Sequence, residues 1–142
     1  MPRKYACSAC LCEYDGNNEH VLSMLDEARN ERHTVQFFDA NEKIIARLLP
    51  AYINAALRTR EGIARSGSTG MEMMLFVSGS MNIRSALSRC GVKDRRFIAF
   101  SDDKGYLDRL LEKNGIRVLK RYGLAIDINA ASDVAMAGLV ED

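Results

Sequence analysis

The run Met71–Gly91, "MEMMLFVSGSMNIRSALSRCG", decides how the chain is read. Its first nine residues, Met71–Gly79, are apolar almost throughout, which predicts a strand buried on both faces, the third along the chain. A tight Ser-Gly-Ser turn follows. Asn82 then stands where an N-cap belongs, Ile83–Cys90 has the pattern of a helix, and Gly91 stops it. A strand, a glycine turn and a helix start form a local geometry that holds phosphates, because unpaired backbone N–H groups point at the ligand. Arg84 and Arg89 lie on that helix, with Lys93, Arg95 and Arg96 just beyond it.

Upstream, "IARSGSTG" reads as a Gly/Ser connection. Before it, Asn41–Gly62 is helical by period, with Ile44, Ile45, Leu48, Leu49, Ile53, Ala56 and Leu57 on its apolar stripe. Pro50 must either kink this helix or open a second one. "TVQFFDA", Thr34–Ala40, is a second strand. A helix begins near Asn18, a plausible N-cap, and carries Val21, Leu22, Leu25 and Ala28 at helical spacing. Residues 3–14, closed by the turn cluster Asp15-Gly16-Asn17-Asn18, make the first strand.

Downstream, Arg96–Asp102 is a strand and Gly105–Gly115 an amphipathic helix with Gly115 beyond its end. The Asp102-Asp103 pair before that helix reads as its N-cap and first-turn charge. The tail predicts one more strand-like segment and a short helix after Asn129. No repeat or linker interrupts the series. The expected fold is a single α/β (mixed α+β) domain over residues 1–142, with a mixed or antiparallel sheet of four to five strands flanked by helices.

The bulk numbers agree with a folded domain: 142 residues, 47% hydrophobic, 27% charged, two prolines. No apolar run approaches the roughly 18 residues that span a bilayer, so no membrane partner and a cytoplasmic location are expected. The net charge of +1 hides an asymmetry. Residues 41–100 hold ten Lys/Arg against four Asp/Glu, whereas both flanks are mildly acidic. A basic block of this kind suits an anionic partner.

Cys7, Cys10 and Cys12 form C-x-x-C-x-C, which raises the question of a metal. A structural zinc site needs four ligands, and no second pair accompanies these three. In a strand Cys10 and Cys12 share one face and Cys7 takes the other, so buried thiols are expected rather than a metal. No P-loop, H-E-x-x-H, G-x-S-x-G or G-x-G-x-x-G motif occurs. His20 and His33 have no carboxylate at a telling spacing. Catalytic constellations are therefore scarce, and no motif calls for a cofactor.

Two stretches resist a bland reading. "LRTREGIARS" places Arg58, Arg60 and Arg65 at a helix end beside Gly62. "VSGSMNIR" places Ser78, Gly79, Ser80 and Asn82 at a turn, followed by Ile83 and Arg84. Guanidiniums beside a helix start grip phosphates well. One reading makes the Ser78–Asn82 turn the cradle of a small nucleotide- or phospholigand-binding enzyme domain.

The order of the pieces supports another. "VQFFDA", then "AYINAALRTREGIARS", then "MLFVSGSMNIRSALSRCGV" resembles the small kinase-binding subunit of the KEOPS tRNA-modification complex, the PRPK-binding protein family, archaeal type. The likeness covers roughly residues 34–93. It implies a non-catalytic subunit with a mixed sheet flanked by helices. Such a subunit docks on the atypical kinase/ATPase subunit, binds the single-stranded CCA 3′ end of tRNA, and supports formation of threonylcarbamoyl-adenosine. By position, Arg65, Ser78, Gly79, Asn82, Ile83 and Arg84 would bind the RNA end, with Arg58 and Arg60 beside them. A single-stranded end offers phosphates to Arg and N–H groups, and bases to apolar side chains. With no Trp in the chain, stacking falls to aliphatics, Arg or a tyrosine such as Tyr52.

Overall fold

The computed structural model describes residues 7–64 and 66–124. The helix expected after Asn129 and the first residues of strand one lie outside that range. In chain order the elements are β1 (Ser8–Glu13), α1 (Asn18–Asn30), β2 (Val35–Asp39), a 3₁₀ turn (Glu42–Ile44), α2 (Ile45–Arg60), α3 (Thr69–Ser78), α4 (Ile83–Cys90), β3 (Arg96–Ser101), α5 (Lys104–Lys113) and β4 (Arg117–Tyr122). The four strands form one sheet in the order β2-β3-β1-β4, and every neighbouring pair is antiparallel.

Alternation along the strands builds two cores. Cys10, Cys12, Val35, Phe37, Phe97 and Ala99 face α1 and α5, which supply Val21, Met24, Leu107 and Leu110. Ala9, Phe38, Ile98 and Phe100 face the other way, against α2, α3 and α4. The result is a sheet with helices on both sides. The expected partition of the cysteines holds, since Cys7 packs on the second of these cores and Cys10 and Cys12 sit within the first. Cys10 and Cys12 are buried with their sulfurs 3.5 Å apart. The Cys12 thiol is pushed up, first by its hydrogen bond with Cys10 and then by burial, which keeps it protonated.

The decisive stretch is not a strand. Thr69–Ser78 is a helix, and Glu72–Val77 are all buried. A segment surrounded on every side carries no amphipathic period, so burial alone does not separate strand from helix. Its ends carry the distinction. Ser68 caps the start, its Oγ accepting from Met71 N at 3.2 Å. Gly79, at φ +70°, closes the end in the left-handed conformation that only glycine adopts without cost. Gly70 sets the packing: a Cβ there would come 3.3 Å from Val35 O, so its absence lets the first turn lie against β2. Met73, Leu75 and Phe76 are each worth about 2 kcal/mol when buried, which outweighs any local propensity for extended backbone.

Two smaller corrections concern helix starts. Asn17, not Asn18, caps α1, accepting from His20 N at 2.9 Å. Pro50 does not open a second helix but lies inside α2, which leaves the first of its two expected places. The hydrogen bond it forgoes belongs to the carbonyl of Ala46, an exposed residue that water can serve. Asp103 caps α5 as expected, accepting from Tyr106 N at 3.0 Å. Among the described residues no helix is long and apolar enough to cross a membrane.

Candidate nucleic-acid interface

Because Met71–Gly79 is helical, the phosphate-holding strand–turn–helix expected there does not exist. Gly79 and Ser80 join two helices, and both of their amides donate back to Leu75 O, at 3.2 Å for Ser80. They are spent on closing α3 rather than offered to a ligand. Ser78 is likewise engaged: its Oγ donates to Leu75 O and its carbonyl accepts from Arg89 Nη1 at 3.4 Å. Arg47 Nη1 donates to Val77 O at 2.9 Å. Two guanidiniums thus sit on the carbonyl end of α3, where cations complement the helix dipole.

The usable donors begin with α4. Asn82 caps it through Oδ1, accepting from Ser85 N at 2.9 Å. The amides of Ile83 and Arg84 precede any intrahelical acceptor and meet none among the described residues. Ile83 is partly buried against the core. The side chain of Arg84 is exposed and makes no hydrogen bond or ion pair with any described residue. Met81 and Leu87, 46% and 45% exposed, are apolar surface on and just before the same helix. A helix start, an arginine and exposed aliphatics together offer a grip for phosphate and a surface for bases. Tyr52, by contrast, is partly buried, its ring 5.4 Å from that of Phe100.

Arg58 and Arg60 lie at the opposite end of α3, about 15 Å along its axis. Arg58 is a supporting residue there. Its Nε lies 3.2 Å from Glu72 Oε1, its Nη2 donates to Ile63 O at 3.1 Å, and Ser66 Oγ donates to Glu72 Oε2 at 2.9 Å. The Glu72 side chain is 0% exposed and that of Arg58 17%. A carboxylate so deep requires a partner, and Arg58 is one. Arg60 is exposed on the last turn of α2. Arg65 lies outside the described residues.

Both histidines gain partners that spacing did not reveal. His20 bridges the Tyr14 hydroxyl at Nδ1 and Asn114 Oδ1, 2.8 Å from Nε2, tying the start of α1 to the ends of β1 and α5. His33 stacks on Tyr106 with ring centroids 4.0 Å apart, and its Nδ1 lies 3.6 Å from Asp102 Oδ1. Apart from Tyr14, these partners come from distant segments, and the pairing of β2 with β3 brings the second group together. No protein-family model matches the sequence, and no curated protein matches it at a significant level.

Proposed function

We propose that the chain is a non-catalytic subunit of a KEOPS-type assembly, docking on its kinase/ATPase subunit and binding the CCA 3′ end of tRNA. The single observation that carries the RNA half is the start of α4. There the unspent amides of Ile83 and Arg84 and the exposed Arg84 guanidinium adjoin exposed Met81 and Leu87. The ordered resemblance over residues 34–93 supplies the identity of the RNA, and the sheet flanked by helices agrees with it. The geometry favours Arg84, Ile83 and Asn82 as the contacting group. Arg58, at the other end of α3, holds the loop that follows α2 and stands apart from that group. The α2–α4 layer is the docking side in this reading.

Binding of tRNA with and without its CCA end tests the proposal. Loss of affinity on removing the end, and on Arg84→Ala, is the expected result. Equal affinity for both RNAs overturns the CCA assignment. The rival use of the Ser78–Asn82 turn as a mononucleotide cradle has less support, since the Gly79 and Ser80 amides are already occupied.

A further inference from the structure

Cys10 and Cys12 stand apart from the RNA reading, because they lie on the α1/α5 side of the sheet, away from α2–α4. Alternate positions of a strand share a face. Here the two sulfurs are 3.5 Å apart, about in van der Waals contact, and both residues are 0% exposed. Two strand residues span at most about 6.8 Å, the upper end of the Cα separations that a disulfide bridges. The pair is therefore within reach of a covalent bond, provided β1 tightens at that point.

Two further observations single these thiols out. The Cys10 thiol is lowered, first by the hydrogen bond from Cys12 and, against burial, by Arg121, which stands opposite it on β4. Cys12 keeps its proton, so the pair divides into a nucleophile and a proton-bearing partner. Cys7 and Cys90 are only partly buried, yet burial pushes both up, Cys7 to about 11. The second observation is a route inward. β4 is an edge strand, paired with β1 alone among the described residues, and four of its six residues are exposed. Its register breaks beside Cys12, where Leu119 falls between two paired residues and is 39% exposed. An edge strand with few buried contacts opens locally at low cost.

We infer that Cys10 and Cys12 are a redox modification site, joined into a reversible disulfide by hydrogen peroxide. The Cys10 sulfur attacks one peroxide oxygen and the O–O bond breaks. The departing hydroxide takes the proton that Cys10 released, which leaves water and a sulfenic acid on Cys10. The Cys12 sulfur then attacks the Cys10 sulfur. The S–S bond forms, the S–O bond breaks, and the departing hydroxide takes the Cys12 proton as a second water. Two thiols lose two electrons, and the peroxide gains them. Peroxide is small and uncharged, so a brief opening of β4 admits it. A bond forced on extended backbone is strained, and strain makes a disulfide easy to reduce again.

The test treats the folded full chain with a small excess of hydrogen peroxide, blocks the remaining thiols in denaturant, and maps the cysteines by mass spectrometry. A Cys10–Cys12 bond within one chain is expected, with two hydrogens lost from the intact mass and regained with dithiothreitol. The pair should be oxidised at least about tenfold faster than Cys7 or Cys90. Cys12→Ala should halt the sequence at the Cys10 sulfenic acid, which dimedone traps; where that variant does not fold, the map of the parent chain decides. Cys7→Ala and Cys90→Ala should leave the rate at the pair unchanged. Oxidation that begins at Cys7 or Cys90, or a pair that stays reduced while the fold is intact, overturns the inference. So does a Cys10 sulfinic acid formed without the bond, since Cys12 would then be unable to reach it.

Discussion

The two ends of α3 carry similar charges and use them in opposite ways. At the start, Arg58 is drawn into a buried pair with Glu72, while the Arg32 side chain has no partner among the described residues. At the far end, Arg47 and Arg89 are absorbed by helix carbonyls, while Arg84 projects from the next helix. Each end therefore has arginine bound into the fold and arginine left at the surface. Sequence shows only that arginines are dense there; partners decide which of them meet a ligand.

The largest expected effect breaks the start of α3. Arg58→Ala removes a partner of a fully buried carboxylate, and urea denaturation should show a loss of about 3 kcal/mol. A fully stable variant would return Arg58 to the list of exposed, ligand-facing cations. Arg84→Ala should do the reverse: stability within about 0.5 kcal/mol of the parent, but affinity for CCA-ended tRNA about tenfold lower. The slope of affinity against salt should also fall by about one ion. Equal slopes for parent and variant would remove Arg84 from the phosphate contacts.

Next in size is the joint between the two helices. Gly79→Ala meets no neighbouring atom within 4 Å, so its cost is the left-handed backbone alone, about 1 kcal/mol. A larger loss would mean that the α3–α4 angle, and not merely one dihedral, had changed.

The smallest effect is a pH control away from both ends. The Asp103 carboxyl is held below its usual range, chiefly by the hydrogen bond from Tyr106 N. A group lowered in the folded state stabilises fully above its unfolded pKa, about 3.9. That contribution disappears as pH falls through the lower folded value. D103N keeps an N-cap that does not titrate. Parent and variant should therefore diverge only in acid, with the parent losing more stability below about pH 4. Identical acid profiles would show that the cap carries no charge-dependent share.

Much of the fold was legible because its signals are local. Asn82, Asp103, Gly91 and Gly115 stand where their helix ends require them, and the strands Val35–Asp39 and Arg96–Ser101 alternate between two cores. Met71–Gly79 misled for a physical reason. A helix buried all round presents the same unbroken apolar run as a central strand, and helical period disappears when every face is inside. Its composition held a clue. Met, Glu and Leu dominate and only Val77 is β-branched, while Ser68 and Gly79 are a cap pair. The candidate site was half legible. Asn82, Ile83 and Arg84 are where the turn chemistry placed them, but the role of Arg58 depended on Glu72. Long-range partners of that kind leave no mark in residue spacing.

Burial of α3 on every side also sets how the molecule moves. A helix with one wet face can fray or shift by breaking a few contacts, but this one cannot leave its place without opening the core around it. Its amides should exchange with solvent water only through events near global unfolding, among the slowest in the chain. Between such events the two arginine-bearing ends keep a fixed separation. The helix is in that sense a ruler, holding its two arginine-bearing ends at constant distance.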